Sequence, residues 1–119
     1  MFGVAILISV KIINILKAEN NIIIEEIAVI RDDRDEIIAR VRQLSQKYDY
    51  VFTTGGIGPT HDDITSEAVA SALNIDFAVN RDILRRLQEY YSTQGQELND
   101  ARRKMAYVPI GSELLYCDQ

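Results

Sequence analysis

A glycine-rich segment between residues 55 and 63 carries the residue types best suited to chemistry in this chain. It reads GGIGPTHDD and lies between an apolar run and a helical pattern that begins near Thr65. Glycine has no Cβ, so the backbone can approach a ligand closely, and consecutive amides can form a nest for an anion. The N-terminus of the following helix adds partial positive charge, which favours phosphate. The segment therefore predicts an anion-binding loop with Gly55, Gly56 and Gly58 at the ligand.

Two carboxylates, Asp62 and Asp63, stand at the end of this segment. They would repel a bound phosphate unless a cation lay between. A Mg²⁺ ion held by one carboxylate and by phosphate oxygens would resolve that conflict, so both residues are candidate metal ligands. The remaining candidates for contact with the ligand are neutral hydroxyls and one imidazole: Thr54, Thr60, Thr65 and His61.

An alternative without a ligand remains open from these residues alone. Gly-Gly-x-Gly can form a tight strand-to-helix turn in which Asp63 or Thr65 caps the helix, with Asp62 and His61 in solvent. The segment does not match the Walker A pattern, since no Gly-Lys-Ser/Thr follows, and it is not G-x-G-x-x-G. Comparison with these short phosphate-binding motifs therefore does not decide whether the segment is a ligand loop or a plain turn.

Apolar runs and helical patterns alternate along the chain and place this segment between a strand and a helix. Strands are predicted at Val4–Val10, Ile22–Ile30 and Tyr50–Thr54, which are short and rich in apolar or β-branched residues. Strands that alternate with helices pair in parallel through right-handed crossovers. The fold class is therefore α/β with a layered, mostly parallel sheet, and ligands in such sheets lie beyond the carboxyl ends of the strands.

Four helices follow from caps and hydrophobic spacing. Asp33, with a glutamate three residues on, has the spacing of a capping box, and Asn80 and Asn99 are N-caps of later helices. Val108–Gly111 is predicted as a turn and Glu113–Tyr116 as an edge strand. The expected inward faces are Ile37, Ile38, Val41, Leu44 and Tyr48 in the first helix, Ala68, Val69, Ala72 and Leu73 in the second, and Ile83, Leu84, Leu87, Tyr90 and Tyr91 in the third.

Composition bounds the class of protein. The 119 residues, with 13 Lys+Arg against 18 Asp+Glu and a net charge of −5, predict one acidic domain over residues 1–119 and argue against nucleic acid as a partner. The early apolar run is too short to span a membrane, and no signal peptide is recognised. The single cysteine, Cys117, has no partner for an internal disulfide, so a cytoplasmic location is expected.

Residues 53–70, TTGGIGPTHDDITSEAVA, closely resemble the molybdopterin-binding (MoaB/Mog) domain family. The nearest branch is similar to competence/damage-inducible protein A and the N-terminal domain of eukaryotic FAD synthase. The resemblance also covers Ile30–Ile37 and Tyr107–Leu114, so it extends over roughly residues 22–115. It implies a three-layer α/β/α fold that binds molybdopterin or an adenine nucleotide, in trimers or dimers.

The resemblance also implies roles for residues of the loop. The three glycines would line the phosphate or pterin side, and Asp63 would be the catalytic acidic residue beside the nucleotide and Mg²⁺, supported by Asp62 and Thr65. Family activities are adenylation of molybdopterin and hydrolysis of ADP-ribose or FAD-like pyrophosphates. The implied reaction is therefore Mg²⁺-dependent nucleotidyl transfer or pyrophosphate hydrolysis, linked to molybdenum cofactor biosynthesis or nucleotide pyrophosphate metabolism.

Two departures from the family pattern predict a truncated domain. The family's first strand leads into a Gly-Asp-Glu-Ile-x-x-Gly loop, whereas Ile8–Asn14 continues without one. The family also continues past the turn at Gly111 into another glycine-rich loop. One wall of the ligand pocket would remain, with weak or lost activity. Two other hypotheses stay open, namely a non-enzymatic module that self-associates and a non-functional remnant of a longer protein.

Overall fold

The computed structural model describes residues 23–115, and within them the fold is a mixture of helices and strands. The two strands form an antiparallel pair in which Phe77 lies opposite Pro109 and Val79 opposite Tyr107. None of the helices in this part of the chain is long and apolar enough to cross a membrane. In chain order the elements are α1 (Arg34–Lys47), α2 (Thr65–Ala72), β1 (Phe77–Val79), α3 (Arg81–Thr93), α4 (Asp100–Arg103), a 3-10 helix (Lys104–Ala106) and β2 (Tyr107–Pro109).

The core lies between α1 and α2. Ile37, Val41 and Leu44 recur at helical spacing on α1 and are buried, as predicted. They pack against Ala68 and Ala72 of α2, whose small side chains allow the two helices to approach closely. The inward face predicted for α2 is only partly right, because Val69 is half-buried and Leu73 is exposed.

An ion pair reinforces this helix packing. The guanidinium of Arg34 on α1 donates through Nε and Nη2 to the two carboxylate oxygens of Glu67 on α2, both at 2.9 Å. Arg34 Nη2 also donates to Ser71 Oγ at 2.8 Å. The hydrogen bond and the charge of Arg34 lower the pKa of Glu67. A bidentate pair of this kind fixes orientation as well as distance, so it holds the first turn of α2 against α1.

Three helix caps predicted from the sequence are confirmed. A side-chain oxygen of Asp33 accepts from the Glu36 N–H at 3.0 Å and caps α1. The side chain of Asn80 accepts from the amide three residues on, at 3.0 Å, and begins α3. Asn99 caps α4 in the same way, with a bond of 2.9 Å to the Arg102 amide. Each cap satisfies an amide that has no partner within its helix.

Two predicted strands are not formed within residues 23–115. The chain carries no strand over residues 23–30 or 50–54, where the sequence predicted Ile22–Ile30 and Tyr50–Thr54. A strand exists only through hydrogen bonds to a neighbouring strand, and neither segment has such a partner among the described residues. The side chains of 23–30 still alternate between more and less exposed positions. The strand predicted at Val4–Val10 lies outside the described residues.

The C-terminal predictions also need correction. The segment predicted as a turn, Val108–Gly111, is half strand and half turn, because β2 ends at Pro109 and the turn begins at Ile110. The edge strand predicted at Glu113–Tyr116 is not formed over residues 113–115. The partner of β2 is β1, a three-residue strand too short to give a recognisable pattern in the sequence.

The third helix contributes little to the interior. Its apolar residues share one face, as the spacing predicted, yet none of the residues of α3 is buried. Tyr90 is 57% exposed and meets the ring of Tyr91 edge-on, with centroids 5.1 Å apart. The guanidinium of Arg102 lies 4.5 Å from the centre of the Tyr91 ring and joins α4 to α3.

Candidate functional site

The glycine-rich loop turns sharply at its first two residues. Gly55 and Gly56 have φ of +80° and +63°, a backbone region that residues with a side chain rarely adopt. The Gly56 carbonyl accepts from the Thr65 N–H at 3.0 Å, which fastens the start of the loop to the start of α2. A Cβ on Gly56 would lie 2.1 Å from Thr65 Oγ1. The sequence therefore needs glycine here for both conformation and space.

Asp63 holds the second half of the loop. Its Oδ2 accepts from the backbone N–H and the hydroxyl of Thr60, at 2.9 and 2.7 Å, and its own N–H donates to the Thr60 carbonyl at 3.1 Å. A Cβ on Gly58 would lie 2.8 Å from the same carboxylate oxygen. The hydrogen bonds from Thr60 lower the pKa of Asp63, and the Gly58 amide and the charge of Lys104 lower it further. Asp63 is therefore a carboxylate kept ionised by the loop that it shapes.

The start of α2 differs from the plain-turn alternative. The N-cap residue is Ile64, with no side-chain cap, so neither Asp63 nor Thr65 caps the helix. The Thr65 N–H already donates to the Gly56 carbonyl, so the capacity to bind an anion rests with the other amides of the first turn of α2, which no capping side chain uses.

A cavity of about 210 Å³ lies beside this loop. Its polar lining includes Gly56, Gly58 and Asp63 from the loop and Lys104 from the 3-10 helix. The apolar side comes from the β1–β2 pair and from the 3-10 helix that precedes β2. The rings of Phe77 and Tyr107 lie on this side, with centroids 5.9 Å apart. The residues of this apolar wall are Phe77, Met105, Tyr107 and Val108. The pocket therefore has a second wall in addition to the single wall expected from the sequence.

The other predicted site residues range from buried to exposed, and they lie outside the cavity lining. The hydroxyl of Thr65 is turned toward Gly56 and its residue is 2% exposed, while Thr54 and Gly55 are half-buried. The side chains of His61 and Asp62 are 93% and 72% exposed and pair with each other at 3.2 Å. Of the predicted set, the cavity lining includes Gly56, Gly58 and Asp63.

The side chains at the cavity could hold a hard cation such as Mg²⁺ only together with oxygen atoms of a bound ligand. No group of three or more Asp, Glu, His or Cys side chains able to hold a metal occurs between residues 23 and 115. Asp63 offers an ionised carboxylate, and Glu67 at the cavity edge is already engaged by Arg34. One carboxylate plus phosphate oxygens and water is a common environment for Mg²⁺. The residues fit that arrangement through Asp63, and the role of Asp62 stays a prediction.

Most of the cavity lining was missed from the sequence, including Lys104 and Phe77. Lys104 follows two arginines, and such a basic run is typical of a solvated helix surface, although Lys104 lines the cavity. Phe77 lies in a strand too short to recognise. A sequence separation of 44 residues lies between Lys104 and its loop partner, Thr60, so no local pattern signals the contact.

Comparison with known proteins identifies the class. Residues 9–112 match the family model described as "Probable molybdopterin binding domain" (MoCF_biosynth). The chain therefore belongs to this family, which confirms the resemblance drawn from the glycine-rich segment.

The more particular likeness is to CinA proteins. The crystal structure of CinA from Thermoplasma acidophilum, a protein described there as having unknown function, superimposes with a TM-score of 0.75 at 30% identity, over 92% of this chain and 67% of that one. A CinA-like protein from Synechococcus is 35% identical over 74% of this chain and 21% of its own length. Protein PH0439 from Pyrococcus horikoshii is 39% identical over 77% of this chain and 39% of its own length. The chain thus spans about a fifth to two fifths of these curated relatives and is CinA-like.

Replacing Thr65 with valine is expected to leave the free energy of unfolding unchanged or to raise it by up to about 1 kcal/mol, because an unpaired buried hydroxyl costs free energy. Thr65 Oγ1 is buried and has no hydrogen-bond partner in the described part of the chain. Thr60→Val is the matched control, since the Thr60 hydroxyl donates to Asp63 and its loss is expected to destabilise the loop. Urea unfolding measures both variants. A larger loss in Thr65→Val than in Thr60→Val would contradict the expectation.

Proposed function

We propose that this domain binds a phosphate-bearing small molecule, molybdopterin or an adenine nucleotide, in the cavity between the glycine-rich loop and the β1–β2 pair. The observation that carries the proposal is the close fit of Gly56 and Gly58 in a loop bordering that cavity, where a side chain would collide with Thr65 or Asp63. Membership of the molybdopterin-binding family supports it. The loop would take the phosphate, and the apolar wall would take the ring system.

A comparison of binding free energies favours weak binding that needs both the loop and the apolar wall of the cavity. Three hydrogen bonds to a charged group and one helix end supply roughly 6–11 kcal/mol, against an association cost of about 4–15 kcal/mol. The loop alone is therefore a poor binder. Each 100 Å² or so of ring surface buried against Phe77 and Tyr107 adds about 2.5 kcal/mol, which brings dissociation constants below the millimolar range within reach.

The chemistry that this arrangement supports is metal-assisted reaction at a phosphate or pyrophosphate. Bound Mg²⁺ would polarise a phosphoryl oxygen. Asp63 would hold the ion, while the loop amides and the start of α2 would stabilise negative charge on the phosphate. Nucleotidyl transfer and pyrophosphate hydrolysis both fit. The link to molybdenum cofactor biosynthesis or nucleotide pyrophosphate metabolism belongs to this proposal, with slow turnover expected.

The proposal includes a single cytoplasmic domain over residues 1–119 with the three-layer α/β/α architecture and a mostly parallel sheet. The likeness to the Thermoplasma CinA structure, at a TM-score of 0.75, supports this architecture. Residues 23–115 would then supply the helical part and the antiparallel pair beside the sheet.

The test is a thermal-unfolding scan with 1 mM ADP-ribose, ATP or FAD, each with and without Mg²⁺. For a dissociation constant near 0.1 mM, mass action adds about 1.4 kcal/mol, and we expect Tm to rise by about 5 °C. Riboflavin and adenosine, which lack phosphate, are the controls and are expected to shift Tm far less. A cooperative transition that ignores all three nucleotides, and also a molybdopterin-containing sample, would contradict the proposal.

Self-association is the second candidate, and it is favoured by the absence of buried residues on α3 despite its apolar face. A homo-oligomer of this chain would cover that face with the same face of a second copy. The same thermal scan, repeated over a hundredfold range of protein concentration without ligand, shows whether the chain self-associates. Tm rises with protein concentration if the copies associate and stays constant if they do not.

A further inference from the structure

Lys104 reaches the glycine-rich loop from the far side of the cavity. Its Nζ donates to the Thr60 carbonyl, in the middle of the loop. The same side chain lines the cavity together with Gly58 and Asp63. It belongs to the 3-10 helix before β2 and so comes from the opposite wall of the pocket.

The backbone that carries Lys104 is held by contacts within the C-terminal half of the described residues. Ala106, two residues on, is fully buried, and its carbonyl accepts from the Asn80 N–H at 2.7 Å. Asn99 caps the short helix before it, and β2 pairs with β1 directly after it. These contacts therefore fix the backbone position from which the Lys104 side chain reaches the loop.

The positive charge of Lys104 matters because the surroundings of the cavity are negatively charged. The cavity edge carries two carboxylates, and the chain as a whole has a net charge of −5, so a phosphate approaching the loop meets an unfavourable field. Glu67 is neutralised by its bidentate pair with Arg34. The corresponding cation beside Asp63 is Lys104, whose charge contributes to the lowered pKa of that carboxyl after the hydrogen bonds from Thr60 and Gly58.

We infer that Lys104 completes the ligand pocket: it holds the loop through the Thr60 carbonyl and supplies the cationic charge that admits a phosphate group beside Asp63. This inference rests on the proposed function, and it names a residue that acts on both the loop and the ligand. It also assigns the ligand class, an anion with a phosphate or pyrophosphate next to a planar ring. The phosphate lies between Lys104 and the loop amides, and the ring lies on Phe77 and Tyr107.

The experiment measures the dissociation constant of ADP-ribose with Mg²⁺ by calorimetry for the wild type, Lys104→Met, Lys104→Arg and Arg103→Met. Arg103 is the matched control, because it is the exposed preceding residue and does not line the cavity. We expect Lys104→Met to weaken binding about tenfold or more, as for the loss of one charge-assisted hydrogen bond, and Lys104→Arg to recover much of it. Arg103→Met is expected to stay within about twofold of the wild type, as for an exposed charge away from the site.

A second readout separates charge from loop structure. Between 50 and 500 mM NaCl, wild-type affinity is expected to fall with salt, and in Lys104→Met this dependence is expected to be shallower. A merely structural role would weaken binding without changing the salt dependence. Equal affinity in Lys104→Met and the wild type, or equal losses in Lys104→Met and Arg103→Met, would overturn the inference. If the wild type binds no ADP-ribose, ATP or FAD at all, it is the proposed function that fails.

Discussion

Replacing Gly56 with alanine is expected to lower the free energy of unfolding by about 2–5 kcal/mol, which combines the cost of a left-handed backbone with a side chain and the cost of overpacking. The φ of Gly56 is +63°, and a Cβ there would lie 2.1 Å from Thr65 Oγ1 and 3.1 Å from Thr65 Cβ. Thr65 is 2% exposed on a packed helix and cannot move away cheaply. The clash must therefore displace either the loop or the first turn of α2.

Gly95→Ala is the matched control for this variant. Gly95 has nearly the same φ, +67°, but no atom lies within 4 Å of the Cβ that alanine would add. The control is expected to lose only the backbone cost of about 1–2 kcal/mol. Urea unfolding with an unchanged m-value compares the two, and the difference between them isolates the collision with Thr65. Adding Thr65→Ala to Gly56→Ala should recover part of the loss, whereas equal losses in the two glycine variants would mean that the loop relaxes freely.

Replacing Asp63 with asparagine is expected to remove most of the ligand-induced rise in Tm. The variant loses the negative charge that would hold Mg²⁺, and it presents an amide where Thr60 now donates two hydrogen bonds to one oxygen. Asp62→Asn is the informative comparison, because the Asp62 carboxylate is exposed and pairs with His61. We expect the loss of the ligand response to be much larger in Asp63→Asn. Equal losses would place Asp62 in the site as well.

Comparison of the wild type with Asp63→Asn also tests how the Asp63 carboxyl makes stability depend on pH. Because the pKa of Asp63 is lowered in the folded protein, its contribution to stability is present above its ordinary pKa and is lost as the pH falls through the lowered value. Below about pH 4 the wild type should therefore lose stability more steeply than Asp63→Asn. Glu67 also has a lowered pKa, but it is present in both proteins and cancels in the difference. Parallel curves for the two proteins would contradict the role of Asp63 in the loop.

Local signals in the sequence were reliable because a few neighbouring residues decide them. The caps at Asp33, Asn80 and Asn99 each depend on an amide three residues away, and the inward face of α1 follows from helical spacing within one segment. The glycine-rich segment allowed the family to be recognised for the same reason, since its residue types and order are contiguous.

Features that depend on distant residues were not predictable in the same way. The segments 23–30 and 50–54 have the composition of strands, but composition does not provide a neighbour to pair with. The pairing of β1 with β2 joins two three-residue strands, and no pattern of that length stands out. Lys104 and Thr60 are 44 residues apart in the sequence and meet only in the folded chain. The second wall of the pocket is therefore a product of tertiary structure.

The uneven distribution of packing has a consequence for how the pocket behaves. Helices α1 and α2 contain most of the buried residues of the described chain, whereas α3 contains none and α4 none. Segments with little buried surface open locally at lower free energy than the core, so the C-terminal half is expected to detach transiently while the glycine-rich loop stays on its helix pair. Each such excursion would part the two walls of the cavity. A molecule that contacts both walls would then bridge the better-packed half and the less well-packed half. Its residence time would be set by the rate at which the less well-packed half opens.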